Sequence, residues 1–334
     1  MALALFVAWP AEDGAGRALR RALGHALAGL PGGLAGRSLA SVLIDAARAP
    51  PAGAVHALLA DAGRQLEIAP GLEASLAIDP GAIGAQGLTG YRAAGIDRLV
   101  LRAGTLDEAA QAALATAAAL FPRCALDLTF GRARQSPSGW RAELDLALQL
   151  GAGHISLEEH GQGPGASSDR AAALYRLAID HLGAAGLPPY EIAHCARRGH
   201  ESRQLLHGAT GGDYLGIGPG AVKRVTADGV CHAQTQIEPA AAWLRALPAG
   251  TEAEWRELGA EERRTELLLT GLRLGAGIAR AWFEPLAGPL EAALDAERLA
   301  MLVEDGFVEL DQAGLRLTGR GRPLCDAVLA RLLH

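Results

Sequence analysis

Short apolar runs of strand length alternate along the chain with longer stretches whose apolar residues recur every three or four positions. The runs are Leu3–Ala8, Val42–Ile44, Glu73–Ile78, Arg98–Leu101, Ala125–Phe130, His154–Leu157 and Tyr190–His194. Their length and their bounding polar residues predict strands. The segments Arg17–Leu27, Ala54–Leu66, Gln86–Ala94, Glu108–Phe121, Gly139–Leu150 and Asp169–Leu182 carry the helical period. Thr105 stands three residues before Glu108, the spacing of a capping box, and Gly95 and Gly183 fall where helices should end. Such alternation predicts parallel strands joined by right-handed crossovers. An open doubly wound sheet and a full or partial (β/α) barrel both fit, and in either one ligands sit at the carboxyl ends of the strands.

The later chain has another texture. A glycine-rich stretch, Gly211 to Gly220, precedes an expected linker at Pro248–Glu252. Beyond it, Leu299–Phe307, the short runs Val308–Leu310 and Leu315–Leu317, and a last helix Arg322–Leu333 read as helix, hairpin, helix. That order predicts a small winged-helix-like module, with domains at 1–248 and 249–334. From Thr251 to His334 ten arginines face fifteen acidic residues, a net charge of −5. Duplex binding rests on neutralising phosphates, so DNA reading is not expected of this module.

Composition narrows the picture further. Half of the 334 residues are hydrophobic, one fifth are charged, and the formal charge is −6. These values suit a globular protein and tell against a general nucleic-acid binder. No apolar run is long enough for a membrane span, and apolar Met1–Trp9 lacks the basic start of a signal peptide. The expected location is cytoplasmic. Lys223 is the single lysine and asparagine is missing altogether. Both fit base-composition drift.

Candidate chemistry is sparse. Cys124, Cys195, Cys231 and Cys325 are widely scattered, which excludes a local zinc knuckle or iron–sulfur loop. His194, Cys195, His200, His207, Cys231 and His232 supply imidazole and thiol groups of the kind that haem iron and soft metals prefer, but at no closed-site spacing. Asp45, Asp79, Asp127, Glu158, Glu159 and Glu191 lie at or near strand ends, where carboxylates could act as acids or bases. Asp127 interrupts an otherwise apolar strand, so it needs a partner such as Arg132 or Arg134, or a use. The Gly216-x-Gly218-x-Gly220 loop allows either close ligand approach or a tight structural turn.

Several segments resemble one family. Tyr190-Glu-Ile-Ala-His-Cys-Ala-Arg-Arg-Gly-His-Glu-Ser-Arg203, Gly211-Gly-Asp-Tyr-Leu-Gly-Ile-Gly-Pro-Gly-Ala221, Leu126-Asp-Leu-Thr-Phe-Gly131, Tyr91–Leu99 and Leu315–Gly321 are similar to the radical S-adenosylmethionine family of oxygen-independent coproporphyrinogen III oxidase-like proteins, nearest its haem-chaperone branch. The resemblance covers nearly the whole chain. It implies a partial (β/α)6 barrel, a small C-terminal domain and a role in haem or porphyrin metabolism.

The departures from the family pattern are specific. The three cysteines of the family's C-x-x-x-C-x-x-C turn fall on Glu12, Gly16 and Leu19, which cannot hold a [4Fe–4S] cluster in the usual way. Its G-G-G-T-P stretch, beside the methionine end of S-adenosylmethionine, has become Asp45-Ala-Ala-Arg-Ala-Pro50, whose added side chains crowd that pocket and tell against the cofactor. A Glu is lost at Ala77 and a Gln at Gly104, and the haem-binding His of the chaperone branch aligns with Gln204. Asp127, Gly218, Gly220 and Ala221 remain as a remnant pocket, and His194, Cys195 and His207 as haem candidates. The resulting expectation is a haem- or porphyrin-binding pseudoenzyme without radical chemistry. An enzyme using the barrel-mouth carboxylates, and a structural partner of an active paralogue, are the alternatives.

Overall fold

The computed structural model describes residues 1–82, 84–161, 169–247 and 254–333, without the side chains of residues 85 and 86. The expected domain boundary at 248/249, and the expected linker up to Glu252, lie outside the described residues. The elements in order are β1 (Ala2–Trp9), α1 (Ala15–Ala28), β2 (Ser38–Ala46), α2 (Ala52–Gln65), β3 (Glu67–Ile78), α3 (Ala85–Ala93), β4 (Arg98–Gly104), α4 (Glu108–Leu120), β5 (Arg123–Phe130), α5 (Pro137–Gln149), β6 (His154–Glu159) and α6 (Asp169–Ala184). They continue with β7 (His194–Ala196), α7 (Arg203–Ala209), β8 (Asp213–Ile217), β9 (Val222–Ala227), β10 (Val230–Thr235), α8 (Ala240–Ala246) and β11 (Arg256–Glu257). The last are α9 (Ala260–Gly271), β12 (Ile278–Ala279), α10 (Arg280–Ala287), α11 (Ala296–Glu304), β13 (Val308–Leu310), β14 (Gly314–Leu317) and α12 (Cys325–Leu333). The chain forms two compact units: 1–128, 146–153 and 212–257 in the first, and 129–145, 154–211 and 258–334 in the second.

In the first unit the strands run β11-β10-β9-β8-β1-β2-β3-β4-β5. Its centre, β8 through β5, is parallel. The carboxyl ends of β1 to β5 therefore share one edge, as the alternation of elements predicts. β1 shows the near-continuous burial of a strand covered on both faces, and Leu3, Leu5 and Val7 are fully enclosed. Helix α1 packs on it through Leu19, Ala22, Leu23 and Ala26, one apolar stripe of a helix whose other face is rich in arginine.

Three local expectations need correction. The cap of α4 is Asp107, whose carboxylate accepts from the Ala110 amide, and not Thr105. Gly183 lies inside α6, and Gly186, in the left-handed region at φ 86°, follows its end. Tyr190–Ala193 is a turn, in which the Tyr190 amide donates to the His194 carbonyl at 3.0 Å. The strand starts at His194 and runs antiparallel to β6 within the second unit, because Pro188 and Pro189 bring the chain back after α6 without another crossover. The β9–β10 hairpin is not among the predicted strands, although its Asp228-Gly229 corner is a strong turn signal.

The C-terminal part of the second unit has its own core. Leu267, Ile278, Phe283, Leu290, Leu302, Val308, Leu315 and Leu329 are buried together. A three-stranded antiparallel sheet, β12-β14-β13, lies among α9 to α12. The predicted helix, hairpin and helix are present, and β12 adds a strand too short to show in the pattern. Among the described residues no helix is long and apolar enough to cross a membrane.

Candidate functional site

The shared carboxyl edge of the first unit opens into a cavity of about 630 Å³, lined in part by Trp9, Glu12, Asp45, Asp79, Arg102 and Glu238. Arg102, at the end of β4, organises it. Its Nε donates to Asp79 at 3.2 Å, and its two Nη groups donate to the Asp45 carboxylate and the Ala46 carbonyl. One guanidinium thus ties together the ends of β2, β3 and β4. Side chains two apart in a strand share a face, so Arg102 and Val100 point the same way, as do Asp127 and Ala125. Register sets Arg102 opposite Asp127, which is half-buried. Beneath that layer Ala77, Val100 and Ala125 form a buried apolar cluster with Leu43. The position at which the resemblance places a Glu therefore has apolar surroundings.

The turn after β1 and the start of α1 hold the three positions that the resemblance assigns to cluster ligands. Glu12 is exposed, Gly16 packs against Trp9 and Ala54, and Leu19 faces the interior of α1 with no exposure. One carboxylate, one missing side chain and one core leucine do not make the thiolate set that an iron–sulfur cluster takes. The four cysteines are free and buried elsewhere, on β5, β7, β10 and at the start of α12. Burial pushes the Cys124 thiol up to about 11 and the Cys195 and Cys325 thiols up to about 12. Among the described residues no group of three or more His, Cys, Asp or Glu is arranged to hold a metal ion.

The glycines at the end of β8 and in the turn after it serve packing. A Cβ on Gly218, which sits at φ 107°, would stand 2.1 Å from the Ala8 carbonyl, and one on Gly216 would stand 2.3 Å from that of Val222. Only glycine lets β1 and the turn approach so closely. Gly220 borders Glu238 with ordinary clearance at 3.4 Å, and the Ala221 methyl is buried.

The second unit carries the haem candidates. The half-buried His194 ring meets the Ser156 hydroxyl through Nδ1 at 3.0 Å, and its Nε2 lies 3.8 Å from Glu191. The rings of His154 and Tyr190 pack beside it, at 5.5 and 6.0 Å between centroids. Tyr190 itself shares a 2.8 Å hydrogen bond with His154. Cys195 is fully buried, and His207 is half-buried in the last turn of α7. Of the strand-end carboxylates, Glu191 is buried and accepts from Arg273 at 2.8 Å and from the Ala193 amide at 2.7 Å. Glu158 is exposed, and Arg132, offered as a partner for Asp127, pairs with Glu143. The structure brings Asp45 and Asp79 together through Arg102, a residue the sequence did not single out. Its only sequence signal was a charged side chain at a strand end among other strand-end charges.

Residues 258–324 match the family model described as the HemN C-terminal domain. The chain is 32% identical over 297 residues to the heme chaperone HemW of Mycobacterium tuberculosis, covering 80% of this chain and 73% of that protein. It is 28% identical over 317 residues to the mouse mitochondrial radical S-adenosyl methionine domain-containing protein 1, covering 84% and 72%. Among solved structures, the radical SAM enzyme coproporphyrinogen III oxidase (HemN) of Escherichia coli superposes with a TM-score of 0.79 at 18% identity, over 98% of this chain and 89% of that one. That likeness shows the fold: a mostly parallel α/β domain of the radical SAM type with a C-terminal domain. Identity and coverage together establish that the chain belongs to the radical S-adenosylmethionine family of HemN- and HemW-like proteins.

Proposed function

We propose that this protein handles haem or a related porphyrin as a binding, chaperone-like or regulatory member of its family, in the cytoplasm, without a [4Fe–4S] cluster and without radical chemistry. One observation carries the reading: no thiol stands in the turn after β1 or in the first turns of α1, while all four cysteines are buried in other elements. Radical cleavage of a sulfonium needs an electron from a cluster, and this chain offers the cluster no thiolates in that turn. The Arg102 clamp supports the same reading, since it places an internal cation at the strand-end crevice. It also commits Asp45 and Asp79, which tells against their use as acid and base.

His194 is the favoured iron ligand. Ser156 holds its Nδ1 and so fixes the ring, the kind of outer support that metal-binding histidines use. Cys195 is disfavoured, because a buried neutral thiol is not the thiolate that iron prefers. His207 stays as a second candidate.

Two measurements test the reading. Protein reconstituted anaerobically with iron and sulfide should retain almost none, whereas about four of each per chain, the content of a cubane cluster, refutes the non-radical assignment. Haem titration should give a Soret band that shifts or weakens in His194→Ala. A flat titration of the wild-type protein removes the haem reading.

A further inference from the structure

The second unit holds a cavity of about 620 Å³, separate from the strand-end crevice of the first. Its volume lies within the ~300–1,000 Å³ typical of small-molecule sites. One wall is aromatic: the rings of Phe130 and Tyr175 lie 6.0 Å apart and tilted by 41°. Leu157 and Ile192 extend that apolar wall, and Leu324, nearly half exposed, stands among the lining residues. Ile192 and Ala193, the two residues before His194, are also part of the lining.

Two guanidinium groups reach this cavity, and they differ in their commitments. Arg273 donates to Glu191 at 2.8 Å and to Asp326 at 3.2 Å, so its charge is matched within the protein. Arg322 has no ion pair among the described residues, and its buried Nη1 has no hydrogen-bond partner. Its guanidinium passes beside Gly275, where a Cβ would lie 3.4 Å from Nη2. A buried donor left unmatched is costly, and an acceptor supplied from outside the chain would satisfy this one. Of the carboxylates in the lining, Asp326 is held by Arg273. An apolar aromatic wall beside one uncommitted guanidinium suits a flat, apolar molecule bearing a carboxylate.

We propose that this cavity is the seat of the porphyrin, with the macrocycle against Phe130, Tyr175 and Leu157 and one of its carboxylates accepting from Arg322. The inference rests on the haem- and porphyrin-handling reading above and adds to it a location and an anchoring residue. The test uses the full chain and two probes, metal-free protoporphyrin and its dimethyl ester, followed by fluorescence. Wild-type protein should bind the free acid more tightly than the ester. Arg322→Met should weaken the free acid about tenfold or more, the cost of one charge-assisted hydrogen bond, and leave the ester unchanged. Ala172→Phe, which places a ring in the cavity from its lining, should weaken both probes. If both variants bind both probes like the wild type, the seat is elsewhere and the proposal falls while porphyrin handling stands. Should the wild type bind neither probe, both fall. If Arg322→Met does not fold, Ala172→Phe alone decides.

Discussion

Arg102 offers a quantitative test of how the first unit is held at its strand ends. Arg102→Met keeps most of the aliphatic stem and removes the bonds to Asp45, Asp79 and the Ala46 carbonyl. The side chains are 28%, 43% and 56% exposed for Arg102, Asp45 and Asp79, so solvent screens both ion pairs. At that exposure each pair is worth about 0.2–1 kcal/mol. The hydrogen bond to the carbonyl adds about 0.5–1.5 kcal/mol. The expected loss is therefore about 1–3 kcal/mol, read as a lower urea midpoint with an unchanged slope. Raising the salt from about 0.1 to about 1 M shortens the screening length from about 10 to about 3 Å, so the difference should shrink toward the carbonyl contribution alone. The sharper signature is coupling. Neutralising Asp45 and Asp79 to Asn should destabilise the wild type, but should stabilise Arg102→Met, where the two carboxylates are left facing each other. A double change that costs the same in both backgrounds, or an Arg102→Met chain as stable as wild type, would refute the clamp.

Three further outcomes follow from the packing. Glu73 has no exposure and accepts from Arg123 at 2.6 Å, while Arg123 also donates to Asp97 at 2.6 Å, so Glu73→Gln, which leaves the guanidinium to Asp97 alone, should cost about 1–3 kcal/mol by urea melt, and no measurable loss would contradict the buried pair. The four thiols should stay unlabelled by a thiol reagent in native protein near pH 8, because burial hides them and holds Cys124, Cys195 and Cys325 at about 11 to 12, and should all react after denaturation; fast native labelling would overturn their placement. Gly218→Ala should leave little folded protein, since its methyl meets the Ala8 carbonyl at 2.1 Å and its backbone sits at φ 107°, and a native melting temperature would show that β1 and the turn can part.

Much of this protein was legible in the order of its residues. Strand and helix periods repeat locally, so β1 through α6 stand close to where the pattern of Leu, Val, Ile and Ala puts them. Cysteine positions are equally local, and their scatter leaves the sequence without a C-x-x-x-C-x-x-C motif. Tertiary structure decided the rest. Asp107 caps α4 in place of Thr105 because the cap depends on backbone angles at one residue, which a three-residue spacing does not specify. His194 begins an antiparallel strand because Pro188 and Pro189 turn the chain, a matter of direction rather than of hydrophobic period. Arg102 meets Asp45 and Asp79, 57 and 23 residues away in sequence, only because parallel register aligns three strand ends. Arg322 is left without a carboxylate in the same way. The partners of a charge are set by three-dimensional neighbours, and those are fixed by sheet register and helix packing, which no local stretch of sequence contains.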